Sequence, residues 1–491
     1  MSLLSAALAL LPTRFRLSAC LVVATAGFSS LYAVAVVFFY CDWLFDVPGA
    51  DALAYGAFLN LSLCAAAVAV FAAARRPWWS ATRAAAAGTA LYAVALGGLA
   101  ASAAAASPAM AYGAGAAAGA AVGVLIPLWF ERIAALVGDR YPAVLGAGSL
   151  IAAPVALALD ALPLPALVAG CAALVSLAVV LLLQTPRAGG ARSVREGEPG
   201  GPGILGQDGA PAAALVVPGL YVLILSFAYG MLDVVAMASP IASASLSGFA
   251  SQVGGLVAIG IFLVYGRIRG ARYTVLLNGA LAVVATGVLF LPFLPEGYSI
   301  ALVVITHMGW EVALLVLYTL AIGAFRDDRV ALLGWGALAF ALPRPALLAG
   351  SATAAFLADG DQFAFTQMTV VAFALLYLIV SGVALLRSRE QRAYQRALRR
   401  KDELIRRYQE ARRDLQELAC EDLAAACGLT KRETELLVIF AQGRDAAYAE
   451  RTLFLSRNTV KSYSKSLYAK LGIHSRQELI DRVNAAMPTD L

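Results

Sequence analysis

Stretches of about 20 mainly apolar residues follow one another along the first 386 residues of the chain. A helix needs about this length to cross the hydrocarbon core of a bilayer. The repetition therefore predicts an all-α, polytopic membrane bundle over residues 1–386. We place twelve spans, at 17–41, 52–74, 84–105, 109–130, 141–160, 163–184, 212–237, 246–266, 273–294, 299–325, 330–357 and 364–386.

The connections between these spans alternate in charge. Every second connection carries arginine, and the others contain no Lys or Arg. Because basic connections stay on the cytoplasmic side, we expect a multi-pass protein of the inner (cytoplasmic) membrane with both termini in the cytoplasm. The basic residues are Arg14, Arg16, Arg75, Arg76, Arg83, Arg132, Arg140, Arg187, Arg192, Arg195, Arg267, Arg269, Arg272, Arg326 and Arg329, and the acidic ones between them are Asp42, Asp46, Asp51, Glu296, Asp359 and Asp361.

The longest connection, at 185–211, divides the spans into six and six. It is rich in Gly, Pro and charge, which is typical of a flexible linker. This layout resembles that of the major facilitator transporters, whose halves are related repeats. The connection after the second span, ARRPWWSATR, lacks the Gly-x-x-x-Asp-Arg-type signature that those transporters usually have there. Transport is therefore the alternative function rather than the leading one.

Ionisable side chains inside the spans are few. Such groups are costly in a membrane and usually face a cavity or a partner. Asp233 lies in the seventh span. His307 and Glu311 lie four residues apart in the tenth, on one face of the helix, and Trp310 adjoins them.

Arg344 lies in the eleventh span between two prolines, Pro343 and Pro345. Proline opens the backbone hydrogen-bond ladder, and an arginine at a broken helix suits an anionic or phenolic group. An ion pair of Arg344 with Glu311 or Asp233 that only braces the bundle is an equally weighted alternative. Because all these residues are in the second half of the bundle, we predict a small-molecule site there.

The charge changes sharply at Arg387. Residues 387–491 hold 21 of the 37 Lys and Arg and 15 of the 31 acidic residues, and thus the entire net charge of +6. A basic, soluble region suggests a polyanionic partner. Residues 387–420 contain no Pro or Gly and predict one long cytoplasmic connecting helix. Its apolar spacing suits a short coiled coil or, alternatively, a solvated helix near anionic lipid.

Three helix-start signals and two terminating glycines divide residues 421–491 into four short helices. The caps are Thr430 with Glu433, Ser456, and Ser475 with Glu478, and the glycines are Gly443 and Gly472. We expect helices at 430–442, 446–453, 456–470 and 475–486, of which the second and third form a helix-turn-helix.

The third of these helices has one apolar and one basic face. Its inward positions are Val460, Leu467 and Leu471, and the cations Arg457, Lys461, Lys465 and Lys470 are spaced to face outward. Cations on a helix that enters the major groove bind phosphates and base edges. The pattern therefore predicts a recognition helix for double-stranded DNA.

This segment resembles the DNA-binding domain of the LuxR family. The matching residues are Leu429, Thr430, Arg432, Glu433, Leu436, Leu437, Gly443, Leu453, Ser456, Thr459, Val460, Lys461, Tyr468, Lys470, Leu471, Gly472, Ser475 and Arg476. The resemblance implies a four-helix domain that binds DNA as a homodimer, with Thr459, Val460 and Lys461 at the DNA surface and Arg457 and Asn458 at the helix start. Two departures are Tyr448-Ala449-Glu450 in place of the family's Glu-Ile-Ala, and Tyr463 in place of a common His.

Together these features predict a membrane-bound, one-component transcription regulator that senses a small molecule through its bundle. A membrane bundle joined to a LuxR-type domain also resembles a group of one-component regulators. That resemblance implies that the bundle senses a small molecule. A transporter with a regulatory DNA-binding tail is the alternative. The six cysteines form no CxxC pair and the two histidines are far apart, so we expect no metal site and no cofactor. No nucleophile–base pair suggests an enzyme.

Overall fold

The computed structural model describes residues 13–40, 43–44, 47–185, 211–237, 244–268, 273–290, 298–358 and 365–487, and these ranges contain helices but no strand. They form two compact units, Met1–Leu385 and Leu386–Leu491. The predicted linker lies outside the described residues apart from its two ends, and so do Asp42, Asp46, Arg187, Arg192, Arg195, Arg269, Arg272, Glu296, Asp359 and Asp361.

The first unit is a bundle of long helices. In its first half they are α1 (Thr13–Tyr40), α2 (Ala52–Ala73), α3 (Ala81–Ala105), α4 (Pro108–Val137), α5 (Tyr141–Asp160) and α6 (Leu164–Gln184). In its second half they are α7 (Val216–Met237), α8 (Ala244–Tyr265), α9 (Tyr273–Phe290), α10 (Tyr298–Phe325), α11 (Arg329–Ala341) and α12 (Pro343–Ala358).

Within the described residues, ten helical stretches are long and apolar enough to cross a membrane. One of them, Pro108–Asp160, contains both α4 and α5 and thus two of the predicted spans. Eleven predicted spans therefore coincide with these stretches. The twelfth, at 364–386, falls in α13 (Phe365–Ala426), a helix of 62 residues that continues into the second unit.

Small residues let α4 approach α2 closely. A Cβ atom added at Gly123 would lie 2.8 Å from the carbonyl oxygen of Leu63, and Gly119 faces the carbonyl of Leu59 in the same way. Because backbone atoms cannot move aside, glycine is required at these crossings. The Gly- and Ala-rich run around residue 119 is thus a helix-packing surface, as such runs commonly are in membranes.

Proline interrupts the eleventh predicted span. Helix α11 ends at Ala341, and α12 begins at Pro343. Pro343 has no N–H for the hydrogen-bond ladder, and its ring excludes a regular continuation of the preceding turn. The helix is thus broken at the prolines, and Arg344 lies in the first turn of α12.

The second unit contains the end of α13 and four short helices, α14 (Lys431–Ala441), α15 (Ala446–Leu453), α16 (Arg457–Leu471) and α17 (Arg476–Ala486). These bounds agree with the four predicted helices to within one residue. Ala419 and Cys420 of α13 are buried in the same core as Leu437 and Leu467. The long helix therefore ends as part of this domain rather than before it.

Candidate DNA-binding surface and ligand cavity

Helix α16 begins directly after a tight turn. Phe454 in the turn has a left-handed backbone with φ of 56°, and its side chain is 93% exposed. Ser456 then caps α16 by accepting a hydrogen bond from the backbone N–H of Thr459 at 3.2 Å. Ser456, Arg457 and Asn458, at the amino-terminal end of α16, are exposed.

The inward face of α16 consists of Val460, Leu467 and Leu471, each at most 3% exposed. Their burial confirms the three inward positions predicted from the spacing. It also corrects the expectation, drawn from the family resemblance, that Val460 lies at the DNA surface. The Val460 side chain lies in the hydrophobic core and not at a DNA surface. The reason is geometric, since residues seven and eleven positions apart on a helix share one face.

Lys470 is exposed, but its ammonium group bonds within the protein. Its Nζ donates to Oε2 of Glu433 at 2.7 Å and to the carbonyl of Gly428 at 3.1 Å. Glu433 is 3% exposed and also accepts from Ser466 Oγ at 2.6 Å. Lys470 therefore fastens α16 to α14, and its contact with DNA stays a prediction.

The other predicted DNA-contacting side chains of α16 remain at the surface. Arg457, Asn458, Lys461 and Lys465 are exposed, and Thr459 is half-buried with its hydroxyl 2.8 Å from Ser456 Oγ. Three cations thus lie on the outward side of one capped helix. Such an array can bind phosphates and base edges.

The departure at 448–450 does not disrupt the domain. Ala449 is completely buried and faces the core of the helix-turn-helix, while Tyr448 and Glu450 are half-buried. The small residue that α15 needs for packing is therefore supplied one position before the glutamate.

The sequence model of the bacterial regulatory proteins of the luxR family matches residues 428–483. Residues 428–483 form a LuxR-type DNA-binding domain. The match covers the capping box at Thr430 and continues through α17. No curated protein sequence matches the chain.

The first unit contains a cavity of about 210 Å³ that is lined by residues of helices α1, α2, α7, α8, α10 and α12. Four of the five predicted ligand residues line it, namely Asp233, Trp310, Glu311 and Arg344. Contrary to the prediction, the cavity is not confined to the second half. Helices α1 and α2 contribute Tyr32, Phe39, Tyr40 and Asn60.

Arg344 is surrounded by aromatic rings. Its guanidinium carbon lies 4.1 Å from the ring centroid of Phe39, 5.6 Å from that of Phe340 and 5.8 Å from that of Trp310. Its Nε has no hydrogen-bond partner in the part of the chain that the structure describes. Cation–π contacts thus surround Arg344, and its ion pair with Glu311 or Asp233 stays an expectation from the sequence.

His307 lies behind the cavity wall and holds two of its aromatic side chains. The Tyr40 hydroxyl lies 3.0 Å from His307 Nε2, and the Tyr229 ring packs on His307 with centroids 5.1 Å apart. Trp310 stacks on Tyr229 at 4.9 Å and donates from Nε1 to Ser226 Oγ at 2.9 Å. His307 therefore positions two side chains of the cavity wall, Tyr40 and Tyr229, and is not itself one of the residues that line the cavity.

Sequence reasoning missed the contribution of the first half because its residues carry no ionisable signal. Tyr32, Phe39 and Tyr40 read as ordinary apolar or interfacial residues of α1, and Asn60 as a lone amide in α2. The useful signal was Asn60, since a buried amide in an otherwise apolar span needs hydrogen-bond partners.

Solved structures show the fold of the first unit. A bacterial homologue of the iron transporter ferroportin, in its outward-facing state, is 12% identical, covers 76% of this chain and 98% of its own, and has a TM-score of 0.50. The human organic anion transporter MFSD10 (17% identity, 75% and 100% covered, TM-score 0.48) and the E. coli fucose:proton symporter FucP (13%, 73% and 96%, 0.46) are also similar. The first unit thus shares the helical fold of the ferroportin homologue, and its long apolar helices make it a multi-pass membrane bundle.

Proposed function

We propose that the chain is a membrane-bound, one-component transcription regulator whose bundle senses a small molecule. The observation that carries the proposal is that one helix, Phe365–Ala426, begins in the membrane bundle and ends in the core of the LuxR-type domain. A change in the bundle that moves this helix is thereby passed to the DNA-binding domain along a continuous hydrogen-bonded element.

In this proposal the protein resides in the inner membrane with both termini in the cytoplasm, as the arginine-rich connections favour. Residues 1–386 form the membrane domain, 387–420 the connecting helix and 421–491 the DNA-binding domain. DNA is bound by a homodimer through Arg457, Asn458, Thr459, Lys461 and Lys465. Dimeric binding is typical of helix-turn-helix proteins on two half-sites.

The ligand in this proposal occupies the cavity lined by Asp233, Trp310, Glu311 and Arg344, with His307 holding its wall. The Arg344→Gln variant should leave the protein in the membrane and abolish its transcriptional response to ligand. The measurement is a reporter fused to the regulator's own target promoter, assayed across a compound panel. An unchanged dose–response in this variant would exclude the cavity as the sensing site.

DNA binding is tested separately with purified residues 387–491. We expect binding to double-stranded DNA that weakens steeply as salt rises, because phosphate contacts release counterions. Binding to anionic vesicles without binding to DNA would contradict the regulator proposal.

The alternative function is transport with a regulatory tail, which the major-facilitator-like fold of the bundle favours. It predicts flux of a substrate in proteoliposomes that survives deletion of 421–491. Fold alone does not specify function, and the DNA-binding domain has no role in flux. We therefore place regulation first.

A further inference from the structure

Positive charge is concentrated at the start of the connecting helix. Residues 387–401 hold seven basic residues and one acidic residue, a net of +6, which equals the formal net charge of the whole chain. Residues 402–426 of the same helix hold four basic and seven acidic residues, and residues 427–491 hold ten and seven. The strongest concentration of positive charge therefore precedes the DNA-binding domain, and the helix becomes acidic from Asp402 onward.

Four arginines of this segment lie on one face of α13. They are exposed and follow one another at spacings of four, three and one residues. Side chains three, four and seven positions apart stack on the same side of a helix. We call this set the arginine face, and it consists of Arg392, Arg396, Arg399 and Arg400.

The arginine face differs from the basic residues farther along the helix. Among the described residues, no acidic side chain forms an ion pair with Arg392, Arg396 or Arg399, whereas Arg406 lies 3.6 Å from Glu410. The positive charge of the face is therefore not neutralised by carboxylates of its own helix, and it is available to an anionic partner.

The face begins directly after the last predicted span. Arg392 follows residue 386 by six residues, which is about 9 Å along a helix, and Arg400 follows it by about 21 Å. Helix α13 continues through this point without interruption. Charges act over about 8–10 Å at physiological ionic strength. An upright helix brings Arg392 within range of the membrane surface, and a tilt toward the arginine face brings the others near it.

Two polyanions fit an exposed row of arginines, namely lipid headgroups and DNA. The acidic stretch at 402–426 separates the face from the cations of α16, and its negative charge opposes a second DNA contact on this helix. Anionic headgroups, in contrast, lie next to the end of the span. Clusters of four to eight basic residues directly after a membrane helix are typical of anionic-lipid binding. Position and charge therefore favour lipid.

We propose that the arginine face binds anionic lipid headgroups and anchors the connecting helix at the cytoplasmic surface of the membrane. The guanidinium groups donate charge-assisted hydrogen bonds to the phosphate oxygens of the lipid. Because α13 ends in the core of the LuxR-type domain, anchoring its start also restrains that domain. The inference rests on the proposed function in taking residues 1–386 as the membrane domain and the second unit as cytoplasmic.

The first test uses the full, unaltered chain in nanodiscs of phosphatidylcholine, with or without about 30% phosphatidylglycerol. Trypsin cleaves after arginine, and bound headgroups shield the arginine face. With phosphatidylglycerol, cleavage after Arg392, Arg396 and Arg399 should slow at least about fivefold relative to cleavage after Arg407 and Arg412. Mass spectrometry of the early fragments gives this ratio. A ratio that is the same in both kinds of nanodisc would overturn the proposal.

The second test compares two variants of residues 387–491 that lose the same net charge. The buried core of this unit lies entirely between Ala419 and Val483, so the fragment keeps it. Glutamine also preserves helix propensity. The face variant and its matched control are Arg392→Gln/Arg396→Gln/Arg399→Gln and Arg407→Gln/Arg412→Gln/Arg413→Gln.

Cosedimentation with vesicles that contain phosphatidylglycerol measures the binding of both variants and the parent. The face variant should bind about a hundredfold more weakly than the parent, since each arginine near an anionic surface contributes about fivefold. The control should stay within about threefold of the parent, because its arginines lie farther from the anchored end. Equal losses in both variants would show that only net charge matters and would overturn the proposal.

DNA binding by the same three proteins decides between the two polyanions. The face variant should keep the parent's slope of log K against log salt, and retained binding also shows that it is folded. A slope reduced by about 0.9 per arginine in this variant alone would assign the face to DNA and overturn the proposal. If a variant fails to fold, the nanodisc test on the unaltered chain still decides.

The parent fragment separates this inference from the function on which it rests. Binding to phosphatidylglycerol vesicles without binding to DNA would support the lipid surface and contradict the regulator. Binding to DNA with no preference for phosphatidylglycerol over phosphatidylcholine would support the regulator and overturn the lipid surface.

Discussion

The Glu433 carboxylate lies 2.7 Å from the Lys470 ammonium and is almost fully buried between α14 and α16. The same carboxylate accepts from the backbone N–H of Thr430 at 2.7 Å and so closes the capping box of α14. One acidic side chain thus caps α14 and also bonds to α16.

The first prediction concerns pH and stability. The hydrogen bond from Lys470, followed by those from Ser466 and Thr430, lowers the pKa of Glu433 from its ordinary value of 4.5 to about 2. Because the folded-state pKa is lowered, the stabilisation is fully present above about pH 4.5 and is lost as the pH falls toward 2. Urea unfolding of residues 387–491 should show this loss, of about 3 kcal/mol at most.

The Glu433→Gln variant should remove most of this pH dependence in that window. It should also lower the free energy of unfolding at pH 7 by about 2 kcal/mol, since the Lys470 ammonium loses its buried partner. Ser466→Ala is the matched control and should cost less, because Lys470 and Thr430 still bind the carboxylate. An unchanged pH profile in Glu433→Gln would contradict the assignment.

The second prediction separates the lysines of α16. Lys461→Ala and Lys465→Ala should each weaken DNA binding and reduce the slope of log K against log salt by about 0.9, as expected for one phosphate contact. Their folding stability should stay within about 0.5 kcal/mol of the parent, since both are exposed. Lys470→Met should instead lower stability, because its ammonium is bound to Glu433. Fluorescence anisotropy and urea titration measure the two properties, and equal salt slopes in parent and Lys461→Ala would refute the contact.

The third prediction concerns the turn before α16. Phe454 has a left-handed backbone and an exposed side chain, so it makes the turn without contributing packing. Glycine adopts this conformation without steric cost. Phe454→Gly should therefore keep or raise the free energy of unfolding by up to about 1 kcal/mol. Val460→Ala is the contrasting variant and should destabilise by about 2 kcal/mol, because it removes buried methyl groups. A strongly destabilised Phe454→Gly would show that the ring has a structural partner.

The fourth prediction concerns the bundle. Gly113 and Gly123 both lie in α4, but nothing lies within 4 Å of a Cβ added at Gly113, whereas one at Gly123 meets a backbone carbonyl. Gly123→Ala should destabilise by about 1–3 kcal/mol through overpacking. Gly113→Ala should be neutral or stabilising, by up to about 1 kcal/mol, since alanine is the better helix former. Thermal unfolding in detergent, followed by size-exclusion chromatography, compares the two, and equal behaviour would argue against the close α2–α4 crossing.

The helices themselves were determined by the sequence. Span length, the prolines around Arg344 and the caps at Thr430, Ser456 and Ser475 are local signals, and the structure places helix boundaries at them. Local signals suffice here because a helix in a membrane must satisfy its own backbone, and a soluble helix begins where a side chain caps it.

Which side chains of these helices contact one another was decided only by the tertiary structure. The sequence did not indicate that Phe39 of the first half contacts Arg344 of the second, or that Asn60 lines the same cavity, since contacts between residues hundreds of positions apart follow from packing. It likewise did not indicate that the exposed Lys470 bonds through its ammonium group to a buried carboxylate on a neighbouring helix. A side chain's partner depends on what lies across the interface, and local sequence does not encode that.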